Sequence, residues 1–153
     1  MPERAPVIQN RKAFHDYFIL ESLEAGIALS GCEVKSIRNG KANLHDGFAR
    51  VDKGQIFLMG MHISPYEQGN RYNPDPTRTR KLLLNRAEIN RLTSKVMEKG
   101  LTLVPVKMYF KKGKVKIQLA LAKGKTQGDK REKLKEKEIK KDIDRALQRR
   151  YIH

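Results

Sequence analysis

The sequence predicts a mainly β protein: a small antiparallel β-barrel with two to three short helices and a basic C-terminal tail. Three observations predict this fold class. Apolar residues recur with a period of two in several segments, as in strands buried on one face. Two short segments begin with helix-capping patterns and contain apolar residues at helical spacing. After Ala122 the chain becomes highly charged and holds few large apolar residues.

The charge of the chain points to a polyanionic partner. Its 153 residues include 33 Lys+Arg and 17 Asp+Glu, so the formal net charge is +16. A compact fold with this charge repels itself, which makes nucleic acid the first expected partner and an anionic membrane the second. No apolar run approaches the roughly 18 residues of a membrane-spanning helix. The N-terminus lacks the apolar core of a signal peptide, and the single cysteine, Cys32, fits a reducing compartment, so we expect a cytoplasmic protein.

The first half of the predicted domain is a strand followed by a capped helix. Residues 1–10 hold two prolines and little periodicity, and we expect a flexible arm there. Apolar positions alternate over residues 17–29, which predicts a long strand, bent near residues 21–22. Ser30 and Glu33 then form the S-x-x-E pattern of a capping box, in which each side chain bonds the backbone N–H of the other residue.

Strands and one more helix account for the rest of the domain. Two strands are predicted on either side of a turn that contains Gly54, and two more form a hairpin with Gly113 in its turn. Between these pairs, Asn85 and Glu88 form a second cap pattern for a helix that ends at Gly100. The predicted ranges are 42–51 and 55–63 for the first strands, 66–79 for a polar loop, 86–100 for the helix, and 102–110 and 115–121 for the last strands.

This order of elements suits a small barrel of the oligonucleotide-binding (OB) type. We therefore expect an arm over residues 1–10, an RNA-binding barrel over residues 11–122 and a basic tail over residues 123–153. Counting over the tail gives 12 basic and 6 acidic residues, a net charge of +6. Such a segment buries too little apolar surface to order itself, so we expect it to be disordered when free and helical on a polyanionic surface.

Two groups of cations are candidate contacts to RNA phosphates. Lys35 and Arg38 lie three residues apart on the first predicted helix, where they are surface neighbours. Arg78, Arg80 and Lys81 form a denser cluster at the end of the polar loop. A solvated surface is the alternative in both cases; for the denser cluster, three cations in four residues favour contact with an RNA backbone.

Signs of catalysis, metal binding or nucleotide binding are weak, so we predict a protein that is not an enzyme and has no cofactor. His15-Asp16 and His45-Asp46 are each neighbours that a strand would point to opposite faces, and the histidines show no metal-ligand spacing. Gly124-Lys125-Thr126 lacks the upstream glycine of a phosphate loop. A generic single-strand binder and a metal-dependent nuclease remain as alternatives.

Several motifs together resemble the small protein B family, the SsrA (tmRNA)-binding proteins of bacterial trans-translation. The resemblance runs from about residue 8 to the C-terminus. Its motifs are Asn10-Arg11-Lys12-Ala13, His15-Asp16-Tyr17, Glu24-Ala25-Gly26-Ile27, the stretch 31–38, the stretch 76–85, Ala122-Lys123-Gly124-Lys125 and Asp129-Lys130-Arg131.

The resemblance implies a fold, a function and partners. The fold is an OB-type barrel with a basic tail that is disordered in free solution. The protein would bind the tRNA-like domain of tmRNA at its D-loop and elbow and deliver it to the A site of a stalled ribosome. Its tail would enter the empty mRNA channel and fold there. The implied partners are tmRNA, the ribosome with its 16S rRNA, and elongation factor Tu, the last indirectly through aminoacyl-tmRNA.

The resemblance also implies roles for individual residues. Glu24, Leu83 and Asn85 match tmRNA contacts of the family, to which Lys35, Arg38, Arg78, Arg80 and Lys81 are added as candidate phosphate contacts. His15 matches a residue that faces the decoding centre. With it, the implied contacts to the ribosome are Gly124, Lys125, Asp129, Lys130, Arg131, Ala146 and Leu147.

Overall fold

The computed structural model describes residues 6–125, and these form a mainly antiparallel sheet with three α-helices. The elements follow one another as β1 (Ile8–Gln9), α1 (Arg11–Asp16), β2 (Tyr17–Ile27), α2 (Gly31–Arg38), β3 (Ala42–Asn43), β4 (Phe48–Asp52), β5 (Gln55–Met59), β6 (His62–Ile63), a 3₁₀ helix (Glu67–Tyr72), β7 (Arg80–Leu83), α3 (Arg86–Lys99), β8 (Thr102–Lys111) and β9 (Lys114–Gly124).

The strand pairings close on themselves. The seven-stranded sheet has the order β1-β8-β4-β5-β7-β2-β9, and β9 also pairs with β8. Six strands therefore form a continuous circuit of antiparallel ladders, with β1 added beside β8 and a separate β3–β6 pair. The predicted antiparallel class is confirmed. This circuit buries one face of each strand and turns the other face outward.

Two apolar clusters hold the fold together. The larger lies inside the circuit and contains side chains of every long strand, together with Ile37 of α2 and Leu92 of α3, both fully buried. The smaller lies on the other side of β8 and β9, where Ala13 of α1 packs on Val104, Val106, Ala120 and Ala122. Small side chains on β9 let α1 approach the sheet closely.

The predicted caps and turns are confirmed. Ser30 with Glu33 and Asn85 with Glu88 each form a complete capping box. Gly100 ends α3 in the left-handed conformation with φ 61°. The turn between β4 and β5 has positive φ at both central residues, 49° at Lys53 and 73° at Gly54. That pair of values is typical of the tight hairpin turn that the pattern predicts.

The predicted domain boundaries differ from the structure at both ends. Ile8 and Gln9 pair with β8, and the buried Asn10 side chain donates to the Pro105 carbonyl over 2.7 Å, so residues 8–10 belong to the folded domain rather than to the predicted arm. At the other end, β9 continues past residue 122, because Lys123 and Gly124 pair with the start of β2.

Three elements also depart from the pattern. Arg11–Asp16 is a helix capped by Asn10, whose side chain accepts from the Ala13 N–H over 3.1 Å. The strand predicted over residues 55–63 breaks at Gly60, where φ is 76° and a Cβ would lie 2.3 Å from the Asp46 carbonyl oxygen. Finally, Arg80–Leu83 is a strand, where the sequence predicts only the end of a loop.

Within the described part of the chain, no helix is both long and apolar enough to cross a lipid bilayer.

Candidate nucleic-acid interface

The outer face of β2, β7, β8 and β9 brings together Glu24 and Leu83, two of the residues that the resemblance implies as RNA contacts, and Asn85 follows directly after β7. Glu24 pairs with Gln118 of β9, and Gly26 pairs with both Leu83 of β7 and Lys116 of β9. The period of two sends the intervening Ala25 into the core, where it is 1% exposed, and leaves Leu83 52% exposed. We call this surface, with Tyr109 and Lys111 of β8, the outer face.

Glu24 is held in place by two side chains of β8. The Tyr109 hydroxyl donates to Glu24 Oε2 over 2.5 Å, and Lys111 Nζ lies 3.4 Å from Oε1. The Tyr109 hydrogen bond, and after it the Lys111 contact, hold the pKa of Glu24 below its ordinary value. Burial and then Glu24 raise the pKa of Tyr109 to about 12, so the phenol keeps its proton and remains a donor. The result is an ionised carboxylate fixed at the surface.

The sequence did not identify Tyr109 and Lys111 as partners of Glu24. The three residues are joined only through the register of β2, β9 and β8, in which Glu24 lies opposite Gln118 and Tyr109 lies opposite Lys116. The sequence indicates only that Tyr109 and Lys111, two residues apart in a predicted strand, point to the same face.

Asn85 lies directly after β7 and is both a cap and a candidate contact. Its Oδ1 accepts from the Glu88 N–H over 2.8 Å, and Glu88 Oε1 accepts from the Asn85 N–H over 3.2 Å. The capping bond uses only the oxygen of the amide. Within the described residues the Asn85 Nδ2 group donates to no protein acceptor, so it is available to a ligand beside Leu83.

The structure excludes Arg80 from the predicted phosphate contacts. Its side chain is 1% exposed, and its Nε donates to Glu33 Oε2 over 2.6 Å. The same guanidinium donates to the carbonyls of Met61 and Pro76. Strand β7 points Arg80 inward and its neighbour Lys81 outward, which separates two cations that the sequence treated as one cluster.

Arg78 shares the same buried carboxylate but stays partly accessible. Its Nη2 donates to Glu33 Oε1 over 2.5 Å, and its side chain is 33% exposed. Burial raises the pKa of Glu33, but the hydrogen bonds from Arg78, the Ser30 N–H and Arg80 outweigh it and hold that pKa below its ordinary value. Glu33, predicted only as a cap, is therefore the centre of a two-arginine ion cluster that fastens the end of the 66–79 loop to α2.

Lys35 and Arg38 lie at the surface, as predicted, and each makes a cation–π contact with an aromatic ring. Lys35 Nζ lies 5.4 Å from the centroid of Tyr66, and the Arg38 guanidinium lies 5.5 Å from the centroid of Phe110. A cation over an aromatic face still presents its remaining donors to solvent. Both are suitable phosphate contacts.

A second region, at α1, gathers the described residues predicted to face the ribosome. His15 and Asp16 lie in a helix rather than a strand, and the prediction that their side chains point apart is wrong: His15 Nδ1 is 2.9 Å from Asp16 Oδ1. Lys125 Nζ donates to the Phe14 carbonyl over 3.0 Å and lies 5.0 Å from the Phe18 ring centroid, while its backbone N–H donates to the Asp16 carbonyl over 2.9 Å.

The chain thus leaves β9 at Gly124 against the helix that carries His15. The other predicted ribosome contacts, Asp129, Lys130, Arg131, Ala146 and Leu147, lie outside the described residues. Across residues 6–125, no cluster of three or more His, Cys, Asp or Glu side chains is arranged to hold a metal ion.

Comparisons with known proteins identify the family to which the chain belongs. The family model described as SmpB protein matches residues 7–149. The SsrA-binding protein of Geobacillus thermodenitrificans is 60% identical over 144 residues, covering 94% of this chain and 93% of the relative. The SsrA-binding protein of Acetivibrio thermocellus is 58% identical over 149 residues, covering 97% of both chains.

A solved structure extends this similarity to the fold. It is described as "tmRNA-SmpB: a journey to the center of the bacterial ribosome". The match has a TM-score of 0.68 and 52% sequence identity, and it covers 84% of this chain and 94% of that chain.

Proposed function

Because this chain belongs to the SmpB protein family, we propose that it binds tmRNA and acts in trans-translation, the rescue of stalled ribosomes. The observation that carries the proposal is the identity of about 60% with SsrA-binding proteins over nearly the whole chain. The solved tmRNA-SmpB structure, similar in both sequence and fold, supports the same function and adds the ribosome as a partner.

The outer face is suited to an RNA loop. Glu24 supplies an ionised acceptor for the amino or imino groups of a base edge, and Asn85 supplies an amide donor. Leu83 adds an exposed apolar surface between them. Contacts of this kind read bases that are unstacked in single-stranded loops, whereas a duplex hides these edges. We therefore assign this face to the tRNA-like domain of tmRNA, at its D-loop and elbow.

The phosphate contacts that accompany this face are Lys35, Arg38, Lys81 and the accessible edge of Arg78. They are sequence-independent and set the strength of binding, while the polar contacts of the outer face set its position. Arg80 is not among them, because it is buried in an ion cluster.

The α1 region is assigned to the ribosome. His15 would face the decoding centre, and the segment that begins at Lys125 would enter an empty mRNA channel. That channel is lined by rRNA phosphates, which attract a segment with the net charge of +6 counted over residues 123–153. Delivery to the A site would involve elongation factor Tu only through aminoacyl-tmRNA. No step in this role requires catalysis by the protein.

Two substitutions test the role of the outer face. Glu24→Ala is expected to raise the Kd for tmRNA by about tenfold, because it removes a charge-assisted acceptor. Tyr109→Phe is expected to raise it by about threefold, because the carboxylate loses the donor that orients it. Once Glu24 is absent, Tyr109→Phe should add nothing, since the phenol acts through that carboxylate. The measurement is a double-mutant cycle of tmRNA binding.

Glu98→Ala provides the matched control, because Glu98 is an exposed carboxylate on the last turn of α3, away from the outer face. It should bind as the unchanged protein does. Fully additive effects of Glu24→Ala and Tyr109→Phe would refute the positioning role of Tyr109. Unchanged affinity in Glu24→Ala would remove Glu24 from the interface.

A further inference from the structure

An open cleft lies beside the outer face, at the point where β2 ends. Its volume is about 320 Å³, at the low end of the range of about 300–1,000 Å³ typical of ligand pockets. Leu29, Val34 and Leu83 provide apolar lining, and Lys114 and Lys116 also line the cleft. The cleft therefore combines apolar side chains with two cations.

The cleft lies where β2 no longer pairs with the first residues of β9. The β2–β9 ladder stops at the pair Gly26 and Lys116, although β9 begins two residues earlier. Lys114 and Val115 continue as partners of β8 alone among the described strands. One side of this part of β9 therefore presents backbone N–H and C=O groups that no neighbouring strand satisfies.

Gly26 lines the cleft and lets Leu83 approach the β2 backbone closely. A Cβ at this position would lie 3.1 Å from the Cβ of Leu83, tighter than ordinary side-chain contact. Any larger residue would force Leu83 to shift. The glycine thus lets Leu83 lie directly on the β2 backbone and leaves its exposed face to a ligand.

We propose that this cleft receives one unstacked nucleobase of the bound RNA. A nucleobase has a flat apolar face and a polar edge, and it is attached to a phosphate. The apolar lining suits the face, the unpaired strand edge suits the polar edge, and Lys114 and Lys116 suit the adjoining phosphates. This inference rests on the proposed function, and it adds a base-binding site to the contacts made by Glu24, Leu83 and Asn85.

The variant that tests the cleft is Val34→Phe. Val34 is half-buried on α2, and a phenyl ring there fills the space that the base would occupy. Val96→Phe is the matched control, because Val96 is a half-buried valine of α3 that lines a different apolar cleft, with Val51 and Leu103. The ligand is the tRNA-like domain of tmRNA, with single abasic substitutions placed in turn through its unpaired loops.

We expect one abasic position to weaken binding to the unchanged protein by roughly tenfold, the order expected when one bound base is lost. Val34→Phe should weaken binding of the intact RNA by a similar factor and show no further loss at that abasic position. Val96→Phe should behave as the unchanged protein does. Tight binding by Val34→Phe, or an unchanged penalty at the same abasic position, would overturn the assignment.

A second measurement needs no variant. 2-Aminopurine at the sensitive position should brighten on binding, because it leaves its stacked neighbours for a cleft whose lining contains no aromatic side chain. If 2-aminopurine fluorescence rises at no loop position, the base site is refuted. This test does not depend on whether Val34→Phe folds. Neither negative result contradicts the proposed function as long as the unchanged protein still selects tmRNA. Failure of the base site can therefore be distinguished from failure of the proposed function.

Discussion

Deletion of residues 128–153 is expected to abolish the tagging of stalled nascent chains while the affinity for free tmRNA stays within about threefold of the full chain. The outer face and the surface cations Lys35, Arg38 and Lys81 all lie among residues 6–125. The deleted segment holds 10 basic and 6 acidic residues, so the deletion removes a net charge of only +4 out of +16. The proposed contact surface keeps all of its cations in this variant, so RNA binding should weaken only modestly at moderate salt.

Two assays measure this separation. Filter binding gives the Kd for tmRNA, and a reconstituted translation reaction on an mRNA without a stop codon gives the extent of tagging. Glu24→Ala in the full chain is the complementary control, because it should weaken tmRNA binding and reduce tagging together. If the deletion lowered affinity as much as it lowered tagging, the division of labour between the domain and the tail would be wrong.

Arg80→Ala is expected to destabilise the fold by about 3–5 kcal/mol, the usual cost of breaking a buried ion pair from one side. Arg80 and Glu33 are 1% and 2% exposed, and Arg80 also donates to the backbone carbonyls of Met61, Pro76 and Arg78, which would lose this donor. Lys81→Ala, one residue further along β7, should change stability by less than about 0.5 kcal/mol, as most surface substitutions do. Urea unfolding measures both variants.

The same cluster predicts an acid dependence of stability. The pKa of Glu33 is lower in the folded chain than its ordinary value of 4.5. Its contribution is therefore present above that value and is lost as the pH falls through the lower, folded pKa. Arg80→Ala weakens the cluster, so the stability of this variant should depend less on pH over the same range. If Arg80→Ala left the free energy of unfolding unchanged but weakened RNA binding, Arg80 would be an RNA contact and the buried ion-pair role would be wrong.

Local chemistry made part of the fold predictable. Both capping boxes and the positive-φ turn at Gly54 depend on residues within three positions of one another, and the structure confirms them. The short helix α1 carried the same kind of evidence, because Asn10 is a standard cap residue, but its six residues gave too little periodicity to predict it. Strand β7 was missed because two of its four residues are cations, which suggested a solvated loop.

The contacts that define the site are of long range, and this limits what sequence reasoning finds. Glu33 meets Arg80 across 47 positions, and nothing local distinguishes that arginine from Lys81 beside it. Tyr109 meets Glu24 across 85 positions, and their meeting depends on a register shift in β8 between Pro105 and Lys107. The resemblance to a family gave the positions of Glu24, Leu83 and Asn85, but the partners of Glu24 required coordinates.

The most direct test of the central claim, that the outer face selects tmRNA, is a competition experiment. Labelled tRNA-like domain is bound by the unchanged protein and challenged with excess tRNA or poly(U), at a salt concentration that suppresses binding through charge alone. The account predicts that the complex persists with the unchanged protein and that the Glu24→Ala protein loses this preference. Displacement of the labelled RNA by tRNA or poly(U) in proportion to their concentrations would contradict it.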